Sequence, residues 1–441
     1  MLHHLKGKWI IFLTTALALG ACQTEETTPE GAADNGRRTV LVYMNARNSL
    51  YNNVQADSLE IALGAREMNP EDRILLYVCK DAKSYLYRIS ASGTRLLMQF
   101  GKDLNASNPK QLEMLLKWTR ENFPSKSYGL VLWSHSDGWL PSTNVSRAGS
   151  RGFGVDVGAD GNPWSDRTSD GNLGYQMNIT DLAQAVSASG IRPEFIFFDS
   201  CLMLGVEAAY DLRNVTDWVI GSPAQIPGVG AQYQDMMKQA LFSQPLNPQA
   251  FTEGYVQQAS SYPEYGDMGV VLGAIKTEKL EALAACTKSM IGKYADGQEP
   301  DLNGVLAYDH YLWQYFYRPE YYDLKQVMLR LITDEADRQT WLQALEACVY
   351  YPAATPYVNF WSNYASDRLY LNPGEFTAVS TFVPQQRYKD HAADCIYGDL
   401  NQAFADTEWA QASGWSDNAY LKNLLNPTPP TEENTPETEE N

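Results

Sequence analysis

The chain is poor in the residues that usually announce a metal or redox site. Its 441 residues include 6 cysteines and 5 histidines. No Cys-x-x-Cys or His-Glu-x-x-His spacing occurs, so structural zinc and zinc-peptidase chemistry have no ligand set to rest on. The cysteines, at positions 22, 79, 201, 286, 348 and 395, form no short pair. Positive charge is also scarce: 34 Lys and Arg stand against 53 Asp and Glu, a net charge of −19. Such a balance opposes nucleic-acid binding and suits basic substrates. The apolar run Trp9 to Leu19 is too short to span a bilayer comfortably, and no internal repeat is visible.

What the N-terminus does have is the layout of a targeting segment over residues 1–21. Lys6 and Lys8 make a basic start, the apolar run follows, and small residues lead to Cys22. Leu19-Gly20-Ala21-Cys22 resembles a bacterial lipobox, in which the cysteine is acylated and becomes the mature N-terminus. Gln23 after it resembles lipoproteins sent to the outer membrane, and Glu25-Glu26 resembles a surface-export signal of Bacteroides-type lipoproteins. A plain secretory signal is the alternative; both readings take the protein out of the cytoplasm, to the outer membrane or cell surface in the first. With Cys22 acylated, the remaining cysteines are odd in number, so at least one thiol is free or paired between molecules. Residues 22–36 and 426–441 are rich in Thr, Pro, Glu and Asn and read as disordered acidic linker and tail.

Between these flanks, a 44% hydrophobic composition supports a substantial core. Arg38–Ala46 and Arg73–Lys80 read as strands, Leu59–Met68 as a helix between them, and Tyr85–Ser90 with Thr94–Phe100 as a hairpin. Asn108-Pro109 with Gln111 gives a helix start, and Leu112, Leu115, Leu116 and Trp118 put an apolar stripe on that helix. Alternating strands and helices predict an α/β fold with a mainly parallel sheet covered on both faces. From about Gln232 the pattern turns mostly helical. Gly269–Ile275 and Glu375–Val383 are strand-like, and Gln402–Gly414 is a closing helix. The aromatic-rich stretch Tyr308–Tyr322 reads as packing, and His310 and His391 as surface or structural residues.

Two buried-strand runs stop at reactive side chains. Leu130 to Trp133 leads to Ser134-His135-Ser136-Asp137-Gly138-Trp139, and Phe195 to Phe198 leads to Asp199-Ser200-Cys201-Leu202-Met203, with helix-forming residues after it. In open α/β sheets ligands gather at the carboxyl ends of strands. Taken singly, Cys201 reads as a buried structural thiol and His135 as a hydrogen-bonded structural residue. Together they suit a thiol nucleophile with an imidazole partner, and the first turn of a helix after Cys201 would favour its thiolate.

At these residues the chain resembles the clostripain family of cysteine peptidases, relatives of gingipains and caspases. The family patterns Trp-x-His-Gly-x-Gly-Trp and Asp-Ala-Cys-Leu-Met match Trp133 to Trp139 and Asp199 to Met203, with Ser136 standing where the family has Gly. The resemblance implies a three-layer α/β/α caspase-like catalytic domain over 37–231, with a helical C-terminal region over 232–425. It implies a cysteine endopeptidase in which His135 assists Cys201, the amides of Ser136 and Cys201 hold the oxyanion, and Asp199 selects Arg or Lys at P1. Alternation along an extended chain puts 199 and 201 on one side. The loop Pro141–Tyr175 is the place for activating cleavage, at Arg147 or Arg151. Asp156-x-x-x-Asp160-Gly161 matches part of a calcium loop, so calcium is admitted as a ligand, although no metal or other cofactor is required. Ser222–Gly230 resembles the family's loop beside the active site, with Pro223 and Gln225 in place of its acidic pattern. The competing reading is a non-catalytic surface lipoprotein that binds peptide, protein or glycan.

Overall fold

The computed structural model describes residues 35–426 except 103, 141–151, 266–267, 296, 310–319, 359–367 and 394–397. Cys22, Arg147, Arg151 and His310 therefore lie outside the described residues, as do the targeting segment and the acidic tail.

The first strand, β1 (Gly36–Asn45), sets the logic of the sheet. Leu41 and Tyr43 pack into one buried cluster, whereas Val40, Val42 and Met44 pack into another. Successive side chains of a strand point to opposite faces, so a strand apolar on both must be covered on both. The next elements along the chain are α1 (Val54–Gly64), β2 (Arg73–Cys79), the hairpin β3 (Ser84–Ser90) and β4 (Gly93–Phe100), α2 (Pro109–Asn122) and β5 (Ser125–Trp133). Then come β6 (Phe153–Asp156), β7 (Tyr175–Met177), α3 (Ile179–Ser189), β8 (Phe195–Asp199), α4 (Val206–Leu212) and β9 (Trp218–Gly221). After them follow α5 (Tyr233–Met236), α6 (Pro248–Ser261), β10 (Val271–Lys276), α7 (Leu280–Tyr294), β11 (Tyr322–Asp323) and β12 (Val349–Ala354).

Nine strands form one sheet in the order β12-β10-β9-β8-β5-β1-β2-β3-β4. The five central strands, β9 to β2 in that order, pair in parallel. The outer pairs are antiparallel. One face is covered by Leu112 and Leu115 of α2, Leu182 and Val186 of α3 and Leu283 of α7; the other by Ile61 of α1, Met236 of α5 and Phe251 and Tyr255 of α6. The expected α/β/α layering is present. Asn108 caps α2 through its side chain, which accepts from the Lys110 amide at 2.9 Å, with Pro109 in the first turn. Such a cap is worth about 1 kcal/mol.

Several elements depart from the sequence reading. The helix expected over Leu59–Met68 begins earlier, at Val54. Beyond residue 232 the strand-like Gly269–Ile275 is borne out as β10, and β12, not expected as a strand, pairs beside it on the central sheet. Only Ser380–Thr381 of the Glu375–Val383 stretch is a strand, and it pairs with β11 rather than with the central sheet. Buried Asp323 explains this: it accepts the Thr377 amide and hydroxyl and the Tyr308 hydroxyl, which holds the stretch beside β11. The closing helix is two short ones, Leu400–Ala405 and Glu408–Ala412. Tyr308, Tyr321 and Tyr322 are buried, and His391 is exposed.

Candidate active site

The register of the sheet brings the two motifs together. Trp133, the last residue of β5, pairs with Asp199, the last residue of β8. His135 and Cys201 each follow by two residues, at the carboxyl ends of adjacent parallel strands about 4.8 Å apart. Both line a cavity of about 340 Å³ together with Ser49, Leu50, Asn53, Trp133, Ser134, Asp199 and the loop Gln225–Gly230. The loop expected beside the site is there. A larger cleft of about 760 Å³, between Glu299 and Arg387, shares no lining residue with it.

Past Asp199 the backbone turns sharply, and Leu202 takes a left-handed φ of 61°. A branched, bulky residue occupies that region only when its surroundings hold it there. Here the Leu202 amide donates to Ala224 O and the Leu204 amide to Ser222 O, both at 2.9 Å. Those bonds tie the turn to the chain after β9, and α4 begins only at Val206. The helix N-terminus expected to favour a Cys201 thiolate is therefore absent from the thiol. The Cys201 Sγ accepts from the Ile226 amide at 3.5 Å and faces the Ile226 carbonyl at 3.8 Å. Burial pushes its pKa up to about 12, with Asp137 and Asp199 adding to the rise and the Ile226 amide opposing it. The resting group is a thiol.

His135 is held from several sides. Its carbonyl accepts from Gly154 N at 3.0 Å, and the next residues pair with the chain that enters β6. Ser134, immediately before it, donates to Asn45 O at 2.7 Å and takes a hydrogen bond from Asn48. At the ring, Nε2 meets the Ser49 hydroxyl at 2.7 Å, with Asp166 behind it. Burial lowers the His135 pKa, and the carboxylates of Asp166 and Asp137 oppose that shift.

Ser136 stands in the glycine position without strain, since its φ is not positive. The bridge to Phe153 engages the amides of Asp137 and Gly154 rather than its own, and its hydroxyl donates to Cys201 O at 2.5 Å. Gly138 is the position that does need glycine: its φ is +72°, and a Cβ there would lie 2.8 Å from Leu202 O and from the Tyr321 ring.

Asp199 lines the cavity from the sheet face covered by α5 and α6. Its Oδ2 accepts from the Ala231 amide at 3.0 Å and Tyr233 hydroxyl at 2.7 Å, and its Oδ1 from the Tyr255 hydroxyl at 3.1 Å. Burial raises its pKa against the pull of those three donors. Asp199 and Cys201 share the cavity, but not through strand alternation, because the strand ends at Asp199 and Cys201 packs against the cluster on the opposite face. Asp57 of α1 sits close by. Its pKa is pushed up to about 9 by burial, with Asp199 and Glu60 adding to it, while a hydrogen bond with Trp133 opposes the rise.

The sequence reading missed Ser49, Asp57, Asp166, Tyr233 and Tyr255, none of which belongs to a local pattern. Asp156, part of the stretch that admits calcium, has protein partners. That carboxylate accepts the Ala106 amide at 2.6 Å and the Gly158 amide at 2.9 Å, with the Arg47 guanidinium 3.5 Å away. Among the described residues no group of three or more His, Cys, Asp or Glu is placed to hold a metal ion. Cys79, Cys201, Cys286 and Cys348 are all free thiols.

The model of the clostripain family matches residues 42–337. The chain belongs to the clostripain family. It is a cysteine peptidase. A secreted C11 cysteine protease from Bacteroides thetaiotaomicron, solved in complex with an irreversible peptide inhibitor, is 26% identical with a TM-score of 0.70, over 87% of this chain and 100% of that one. An inactive zymogen C11 protease from Parabacteroides distasonis is 25% identical with a TM-score of 0.62, over 86% of this chain and 99% of that one. A further secreted C11 protease from B. thetaiotaomicron, iotapain, shares the fold at 21% identity and a TM-score of 0.69, over 86% and 100%. A comparison with curated proteins finds no match.

Proposed function

We propose that this clostripain-family peptidase is a secreted, lipid-anchored endopeptidase that cuts after Arg or Lys with a Cys201–His135 dyad. The observation that carries the reading is the meeting of the two side chains in one cavity from register-matched strand ends. Because the resting thiol is neutral, His135 takes the Cys201 proton as Sγ attacks the scissile carbonyl. The amides of Ser136 and Cys201 hold the oxyanion. His135 then protonates the leaving amine, and water hydrolyses the thioester. No cofactor enters these steps.

Support for a basic P1 residue comes from Asp199 in the cavity wall, with no Lys or Arg among the cavity-lining residues. Secretion is supported by the description of the Bacteroides relative and by the targeting pattern; the lipid anchor rests on Leu19 to Cys22 alone. The inactive zymogen described for the Parabacteroides relative supports an activation step; cleavage at Arg147 or Arg151 rests on their place in the loop between His135 and Cys201 alone. Fluorogenic Arg and Lys peptides, given to wild-type protein and to Cys201→Ala and His135→Ala, test the dyad. Both variants are expected to stay folded and to lose activity. Full activity in Cys201→Ala ends the reading.

A further inference from the structure

His135 is met at Nε2 by a hydroxyl and a carboxylate from segments outside both clostripain motifs. The Ser49 hydroxyl lies 2.7 Å from His135 Nε2 and donates to Asp166 Oδ2 at 3.1 Å. The Ser49 amide donates to Asp166 Oδ1 at 2.7 Å, fixing the carboxylate from a second direction. His135 Nε2 and Asp166 Oδ2 are 3.7 Å apart, so the hydroxyl is the shorter link between them. A serine hydroxyl has one proton to give. With that proton committed to Asp166, Ser49 Oγ accepts from Nε2–H, and the neutral ring keeps its lone pair on Nδ1.

We infer that Ser49 and Asp166 are positioning residues that hold His135 as an Nδ1 base and supply the negative charge that stabilises its imidazolium during catalysis. The inference rests on the dyad reading above and adds two residues to it. In the step itself, the Cys201 proton moves to Nδ1 and later to the leaving amine. The Nε2–H and Ser49 O–H bonds are not broken, so no proton passes to Asp166.

The two segments are built into one unit. The Val157 amide donates to Arg47 O at 3.0 Å, Asn48 donates to Val155 O at 2.8 Å, and the Tyr51 ring meets Trp164 edge-on with centroids 5.0 Å apart. Within that unit Asp166 takes a left-handed φ of 53°, and its carbonyl accepts from the Gly174 amide at 2.9 Å. Asp and Asn tolerate this backbone region better than other side chains. The other ionisable groups around the ring are Asp137, which follows it in sequence, and Cys201 and Asp199 across the cavity.

The test compares kcat, KM and pH profiles of wild-type, Asp166→Asn, Ser49→Ala and Ser49→Thr, with His135→Ala as the reference for a lost base. Asn at 166 keeps the backbone conformation and an acceptor for the Ser49 amide, and removes only the charge. Its kcat is expected to fall about tenfold to a hundredfold, part of what a general base contributes, with KM unchanged. The acid limb of its kcat/KM profile is expected to move to lower pH, since the imidazolium has lost its counter-charge. Ser49→Ala should lose similarly and Ser49→Thr should retain activity, which decides the matter even if the 166 variant unfolds. Wild-type kcat and pH profile in Asp166→Asn, or a gain in activity, overturns the inference while an inactive His135→Ala leaves the dyad standing. An active His135→Ala overturns both.

Discussion

Asp199→Asn separates a specificity role from a structural one, and the contacts of Asp199 allow its effect to be worked out. Of about four acceptor sites on a carboxylate, Oδ2 uses two for Ala231 and Tyr233, and Oδ1 uses one for Tyr255. One site on Oδ1 is left for a ligand, on the side chain that lines the cavity. In the variant, the amide oxygen can keep the Ala231 and Tyr233 bonds. Its NH2 then faces the Tyr255 hydroxyl, which can turn to accept. The fold keeps its bonds, and a P1 cation loses a charged acceptor. A hydrogen bond to a charged group contributes about 1.5–3 kcal/mol, so kcat/KM for Arg and Lys peptides is expected to fall about tenfold to 150-fold. Matched peptides with citrulline at P1, equal in shape to Arg but neutral, should be nearly unaffected. Equal losses on Arg and citrulline peptides would refute the specificity role and leave Asp199 as a brace for the tyrosines. An unchanged Arg preference would refute it differently, by showing that the charge of Asp199 does not select the P1 residue.

Asp57, whose Oδ2 has no hydrogen-bond partner, has a folded pKa of about 9 against an ordinary value of 3.8. Its contribution to stability is complete below pH 4 and is lost as pH rises towards 9. Asp57→Asn should flatten that decline, and parallel Tm profiles from pH 5 to 8.5 in wild-type and variant would refute the assignment. Gly138→Ala should lower stability by about 1–2 kcal/mol through its left-handed backbone alone, and an unchanged urea midpoint would contradict the close approach to Leu202 and Tyr321. Cys22→Ala is expected to release the protein from membranes, read by fractionation of its native host; unacylated, wholly soluble wild-type protein would refute the anchor. Mass spectrometry of active enzyme should find cleavage at Arg147 or Arg151, and an intact chain there would show that activation does not need it.

What was legible in the sequence depended on how local its physical cause is. The central strands could be read because each is a short apolar run closed by a small or charged residue. The thiol and imidazole could be read because each ends such a run. The stretch after Cys201 misled because Leu202, Met203 and Leu204 favour a helix locally, while the Leu202 and Leu204 amides are instead taken by the carbonyls of Ala224 and Ser222. β12 was not read as a strand, although Pro352 within it suits an edge strand, where a missing amide costs no ladder bond. The contacts around His135 lie beyond any local reading, since Ser49, His135 and Asp166 come from three separate segments. Their convergence depends on the corner after β1 gripping the chain around β6, through Asn48 and Arg47. A motif search can therefore find the thiol and the imidazole, whereas the hydroxyl and carboxylate that meet His135 Nε2 come from residues that no motif contains. That division makes Ser49 and Asp166, rather than the dyad, the positions at which relatives with identical motifs can differ in rate and pH dependence.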